Sequence, residues 1–166
     1  MQGRFRHVSG ASFKMRSPFQ ILVLPFRCAP NGVWEFAAFR CADSGFWQFI
    51  AGGGEDGELP LTAARREAGE EAGLPDTTSF YPLQSMSTVP VIEFPAHTNR
   101  WISEGIYVVP EHAFAAKADG IVIRLSGEHT EFRWGTEADT LALLRWDSNR
   151  NALWELSQRL ARGTLG

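Results

Sequence analysis

Cysteine is scarce, and its scarcity excludes two readings. Cys28 and Cys41 are the only cysteines in 166 residues. They are too few and too oddly spaced for a disulfide framework or a zinc site, so both read as buried or bystander thiols. Long apolar runs are also missing: none approaches the roughly 20 residues that span a bilayer, and the polar N-terminus lacks the apolar core of a secretory signal. A cytoplasmic protein with no membrane partner is expected. Nor is there an excess of positive charge. A formal net charge of −3 is too small, and of the wrong sign, for nonspecific binding of a nucleic-acid polymer. No internal repeat is present, and no linker that would divide domains.

Hydrophobic residues make up 44% of the chain, with six Trp and twelve Phe, which marks a folded globular protein. The length suffices to bury one sizeable core. The opening MQGRFRHVSGASFKM is polar and basic without sustained periodicity. Residues 1–16 are therefore expected to form a flexible arm and residues 17–166 a single domain, with Met15 a second candidate start.

Residues 19–26 read as a buried strand, rich in Ile, Leu, Val and Phe. Asn31-Gly32 supplies a hairpin turn before a second strand over 33–40. After the turn Ala42-Asp43-Ser44-Gly45, residues 46–50 form a short strand that feeds a glycine-rich loop. A helix follows, with Pro60 in its first turn and Gly73 closing it. Further strands are expected over 79–86, 89–94, 101–109, 121–125 and 131–134, with Pro90, Pro95 and Pro110 as punctuation. Residues 137–144 and 148–160 are helical by period, the latter burying Leu153, Leu156 and Leu160. The pattern is α/β, a mixed sheet with helices packed on it.

The segment from Gly52 to Leu74, GGGEDGELPLTAARREAGEEAGL, carries the chemistry. Glu67, Glu70 and Glu71 are spaced i, i+3, i+4, so on a helix they share a face and repel one another. A hard cation with oxygen ligands, Mg2+ or Mn2+, would offset that repulsion. A solvated acidic face is the competing reading of the three glutamates alone. Glu58, near the helix start, suits a helix-dipole partner or an outer metal ligand.

Gly52, Glu58 and the run Arg66-Glu67-Ala68-Gly69-Glu70-Glu71-Ala72-Gly73-Leu74 together resemble the Nudix box, the signature of Nudix hydrolases. Ala68 departs from it, standing where the family prefers a bulky aliphatic residue. The resemblance implies a Nudix-type α/β/α sandwich with a mixed β-sheet. It also implies metal ligation by the Gly52 carbonyl with Glu67, Glu70 and Glu71, of which Glu70 and Glu71 are counted as catalytic too. Arg66 is expected to orient one of those carboxylates through a bidentate pair. Some family members recruit a further glutamate from a later loop. Glu128, in Ser126-Gly127-Glu128-His129, is the favoured candidate here, against the alternative of an exposed loop acid, and Glu93 and Glu104 stay open. His129 reads as structural, and His97 and His112 as surface residues.

The outer segments Gly45-Phe46-Trp47-Gln48, Thr98-Asn99-Arg100-Trp101, Gly127-Glu128-His129 and Trp146-Asp147-Ser148-Asn149-Arg150 are similar to the bacterial branch that hydrolyses dATP and dihydroneopterin triphosphate. From that likeness Arg40 is a candidate phosphate contact, with Arg27 a weaker one, although either could simply cap a strand. Trp47 could stack on a flat heterocycle or belong to the core. Trp134, Trp146 and Trp154 are expected to pack.

The expected activity is Mg2+-dependent hydrolysis of a nucleoside or pterin triphosphate to monophosphate and pyrophosphate. ADP-ribose, dinucleoside polyphosphates and oxidised nucleotides are alternative substrates. A noncatalytic ligand-binding domain and a partner-binding domain with a merely solvated acidic helix are the readings from other classes. A homodimer is left open.

Overall fold

The computed structural model describes residues 15–166, so the arm expected over 1–16 lies almost wholly outside the described residues. The strands are β1 (Arg16–Cys28), β2 (Trp34–Cys41), β3 (Trp47–Gln48), β4 (Ile50–Glu55), β5 (Phe80–Pro90), β6 (Val108–Lys117) and β7 (His129–Gly135). The helices are α1 (Pro60–Ala72), α2 (Thr98–Ser103), α3 (Glu137–Leu143) and α4 (Asp147–Arg162), with a 3-10 turn at Val91–Glu93.

Strand β1 organises the sheet. Its first half pairs with β4 and its last three residues with β2, both antiparallel, while β6 runs parallel along its other edge. The order β3-β2-β1-β6-β5, with β4 on β1 and β7 on β2, is a mixed sheet. Side chains alternate across it, as a period of two requires. Ile21, Val23, Ala37, Phe39 and Ile50 face α1, whereas Leu22, Leu24, Phe26, Phe36 and Phe49 face α4. Both faces are covered by helix, which makes the expected α/β/α sandwich. Leu153 and Leu156 of α4 are fully buried, and each contributes about 1.5–3 kcal/mol.

The buried face of α1 is made of Ala63, Ala64, Ala68 and Ala72, with Glu71 the one buried acid beside them. Small helix residues against large strand residues let α1 sit close to the sheet, and Ala68 is wholly enclosed. The helix ends where expected: Gly73 takes a left-handed φ of 68°, and the N–H groups of Gly73 and Leu74 bond the carbonyls of Gly69 and Ala68. The Asn31-Gly32 hairpin also forms, with Gly32 at φ 80°.

Several expected elements differ. The glycines expected in a loop form strand β4 instead, because β1 supplies a partner for their backbone. Residues 89–94 end β5 and then turn into the 3-10 segment, and Trp101 sits buried in α2 instead of a strand. A short apolar run around a buried tryptophan suits either element. The true strand β6 starts later and runs through Pro110, which lies before the register with β1 begins and so removes no ladder bond there. Residues 121–125 join no strand. The N–H groups of Arg124 and Ser126 instead bond the carbonyls of Ala72 and Glu71, acceptors that the end of a helix leaves open. Among the described residues no helix is long and apolar enough to cross a membrane.

Candidate active site

Three backbone segments converge on α1. Strand β4 brings Gly52 beneath Glu67 so closely that a Cβ on Gly52 would lie 2.3 Å from the Glu67 carboxyl carbon. The loop from β4 to α1 brings Glu58. The segment tied to the end of α1 carries the chain to Glu128, whose own carbonyl accepts from the Ala42 N–H.

Arg66 binds these parts together. Its guanidinium donates to both oxygens of Glu58 at 2.9 and 3.0 Å, to Glu67 Oε1 at 2.9 Å and to the Gly53 carbonyl at 2.9 Å. A longer contact of 3.3 Å reaches Glu70. The bidentate pair therefore falls on Glu58, while Glu67 and Glu70 receive single bonds. Glu58 also accepts the Glu55 N–H at 2.8 Å, so it clamps the loop to the helix.

The four acids differ in environment. Glu70 is exposed, and Glu128 stands in an exposed turn. Glu67 is half-buried, and burial raises its carboxyl against the opposing hold of Arg66. Glu71 is 2% exposed, and burial, reinforced by the charges of Glu128 and Glu67, pushes it up to about 9. Its Oε1 is enclosed with no hydrogen-bond partner, and its Oε2 lies 3.7 Å from Nε2 of His129. Burial holds the His129 imidazole below its usual range, and the ring packs on Phe39 at 5.3 Å.

This donor set fits a hard divalent cation. It is all carboxylate and carbonyl oxygen, it crowds negative charge around one enclosed orphan oxygen, and a cation there would let Glu71 ionise. Among the described residues no three acidic, histidine or cysteine side chains close on one point as they stand. Backbone carbonyl and water oxygens would complete the shell, as Mg2+ commonly requires.

Beside Glu71, Glu128 and His129 lies a cleft of about 320 Å³ that also touches Asp43, Gln48 and Ala51. Those last three residues border a second, wider bay of about 670 Å³, walled by Phe94 and Trp146. The two spaces thus adjoin along these three residues, one at the carboxylates and one beyond them. Sequence reasoning missed Phe94 as a cleft residue and read Trp146 as packing, yet Trp146 is 46% exposed on the bay. Trp154 is likewise exposed.

Arg40 and Trp47 border neither space. Arg40 bonds the Gly45 carbonyl at 3.2 Å and pairs with Glu131 at 3.5 Å. Trp47 is half-buried beneath the Arg133 guanidinium, 4.9 Å from the ring centre. Its neighbour Gln48 faces the cleft, as strand alternation dictates. Arg27 pairs with Glu35 and covers Trp134. Glu104 caps α2 in solvent, whereas Glu93 lies on the bay. His97 and His112, expected at the surface, are half-buried against Trp101 and Phe19.

A sandwich with a box helix of this geometry defines a Nudix hydrolase, and the sequence agrees: the model of the NUDIX domain matches residues 31–155, so the chain belongs to the NUDIX family. Among solved structures, a Listeria monocytogenes protein assigned as a NUDIX hydrolase is 36% identical. The alignment covers 90% of this chain and 98% of that one, with a TM-score of 0.80. The Escherichia coli dihydroneopterin triphosphate pyrophosphohydrolase shares the fold at 23% identity, with 86% and 97% covered and a TM-score of 0.67. A Caenorhabditis elegans Ap4A hydrolase does so at 19%, with 88% and 99% covered and a TM-score of 0.68. No curated protein sequence matches. Enzymes of this family generally use a divalent metal such as Mg2+.

Proposed function

We propose that this chain is an Mg2+-dependent pyrophosphohydrolase of a triphosphate bearing a planar heterocycle, with dihydroneopterin triphosphate and dATP as the expected substrates. The observation that carries this reading is the enclosed, unpartnered Oε1 of Glu71 beside Glu128, at a cleft that adjoins a bay with room for a ring system. The likeness of the outer segments to the bacterial branch, and the fold shared with its Escherichia coli member, favour a triphosphate.

The Gly52 carbonyl with Glu67, Glu70 and Glu71 would hold the cation. When bound, it neutralises phosphate oxygens and makes water a better nucleophile near neutral pH. The protein's own part is positional. Arg66 fixes Glu67 and the loop through Glu58, and Gly52 lets β4 approach the carboxylates. Glu128, on its turn, accepts the proton of the attacking water. The water oxygen bonds to a phosphorus of the α–β bridge, the bridging P–O bond breaks, and monophosphate and pyrophosphate leave.

A substrate panel with product analysis, run with Mg2+, Mn2+ and chelator, tests the proposal. Pyrophosphate and a monophosphate are expected. Inorganic phosphate with a diphosphate would overturn the cleavage site, and full activity in chelator the metal. A strong preference for ADP-ribose or a dinucleoside polyphosphate would overturn the substrate class.

A further inference from the structure

The bay beyond the carboxylates contains a buried acid that the reaction does not use. Glu111, on β6, stands in register between Gln20 of β1 and Ser87 of β5, and all three border the bay. Glu111 is 8% exposed, and Ser148 at the start of α4 borders the same bay. Asp43, Glu93 and Asp147, each exposed, also line it. No lysine or arginine is among the bay's described lining residues.

The charge of this bay decides which end of a substrate enters it. Phosphates are repelled by four acids and belong at the cation. What the bay attracts is the uncharged, donor-rich end of the molecule. The exposed acids exchange their partners with water at little cost, but a buried carboxylate recovers its lost hydration only when donors reach it.

We infer that Glu111 is a specificity-determining residue that accepts two N–H groups from a 2-amino-4-oxopyrimidine edge, the edge shared by guanine and pterin, and so selects such triphosphates over adenine nucleotides. The inference rests on the triphosphate reading above for its substrates and narrows it, placing dihydroneopterin triphosphate ahead of dATP. An ionised carboxylate has only acceptors. The ring N–H and the adjacent amino group of that edge present two donors side by side, matching its two oxygens. Adenine sets one donor beside a ring acceptor, which would face a carboxylate oxygen and leave both lone pairs unsatisfied. A site built on buried polar groups rejects the mismatched partner strongly. Burial alone favours the neutral acid, whereas two N–H donors favour the carboxylate, so this edge would ionise Glu111 as it binds. Trp146, 46% exposed, places an aromatic side chain at the same bay.

The test compares kcat/KM for dGTP, 7,8-dihydroneopterin triphosphate and dATP in the wild type and in E111Q, with melting curves to confirm that the variant is folded. The glutamine amide keeps the size and replaces one acceptor with a donor. The wild type should prefer dGTP, dihydroneopterin triphosphate or both over dATP, the arms showing which ring is favoured. In E111Q that preference ratio should fall about 10- to 100-fold. An unchanged ratio, or a wild type that favours dATP, would overturn the inference. Calorimetric binding of dGMP and dAMP to the wild type separates the two proposals and needs no variant. If no triphosphate is cleaved but dGMP still binds more tightly than dAMP, the function reading fails while the role of Glu111 stands. Equal binding would overturn that role.

Discussion

Arg66 and Glu58 face each other through two parallel hydrogen bonds, 2.9 and 3.0 Å long, and this pair fastens the loop ahead of α1 to the helix that carries the acids. Both side chains are largely enclosed, at 21% and 15% exposure. The bonds to Glu58 hold the Arg66 guanidinium charged more firmly than usual. Lysine cannot reproduce the fork. Arg66→Lys should lower stability by about 2 kcal/mol, less than a fully buried pair would lose, and should lower kcat by more than it raises KM. Urea denaturation and steady-state kinetics check both, and a fully active Arg66→Lys enzyme would remove Arg66 from the positioning role.

Glu71 gives the metal-free protein a defined pH dependence. Its folded carboxyl titrates near 9 rather than at its usual 4.5, so between those values the folded state holds a proton that the unfolded state has released. Stability contributed by this group therefore falls as pH rises across that window. A cation competes with the proton. The rise in Tm on adding Mg2+ should be larger at pH 8.5 than at pH 5.5, and Glu71→Gln should abolish the difference. Differential scanning fluorimetry with and without chelator reads this directly.

Glu155 ties α4 to β5. Its carboxylate accepts the Gln84 N–H at 2.7 Å and both the N–H and hydroxyl of Ser85 at 2.6 and 2.7 Å. Burial alone would raise it, but these donors hold it below the ordinary carboxylate range. Its contribution is present above the unfolded pKa and is lost as pH falls through the folded one. Glu155→Ala should cost about 2–3 kcal/mol at neutral pH, with the gap to wild type closing in acid. A constant gap across the acid range would contradict this account.

Gly52→Ala should separate the site from the fold. The added methyl meets the Glu67 carboxylate, the far end of a flexible side chain, which can swing aside. Melting should shift little, while the Mg2+ concentration for half-maximal activity should rise at least tenfold. Unaltered metal dependence would show that Glu67 need not lie over Gly52.

The box was legible because its spacing is local: the glutamates, Gly73 and Pro60 need only one helix to be understood. The Asn31-Gly32 turn was legible for the same reason. Trp101 was not, since burial in a short helix and burial in a strand leave the same apolar mark. Strand β6 was hidden by Pro110 and by the alanines at 113, 115 and 116, which have little strand preference and are held by pairing with β1 and β5. Glu111 gave no local signal, and Trp146, although within one of the outer segments, read as packing, because the bay exists only once β1, β5, β6 and α4 are assembled.

The parallel pairing of β1 with β6 also constrains how the chain acquires its structure. Gln20 meets Glu111 and Phe26 meets Lys117, so the central strand is complete only after most of the polypeptide has been gathered in. Contacts of such wide sequence separation carry a loop-closure cost before they contribute anything, and they slow folding. During synthesis the box helix would emerge well before the strand that completes its platform, and a fragment ending near residue 90 would expose the edge of β1 that β6 normally covers.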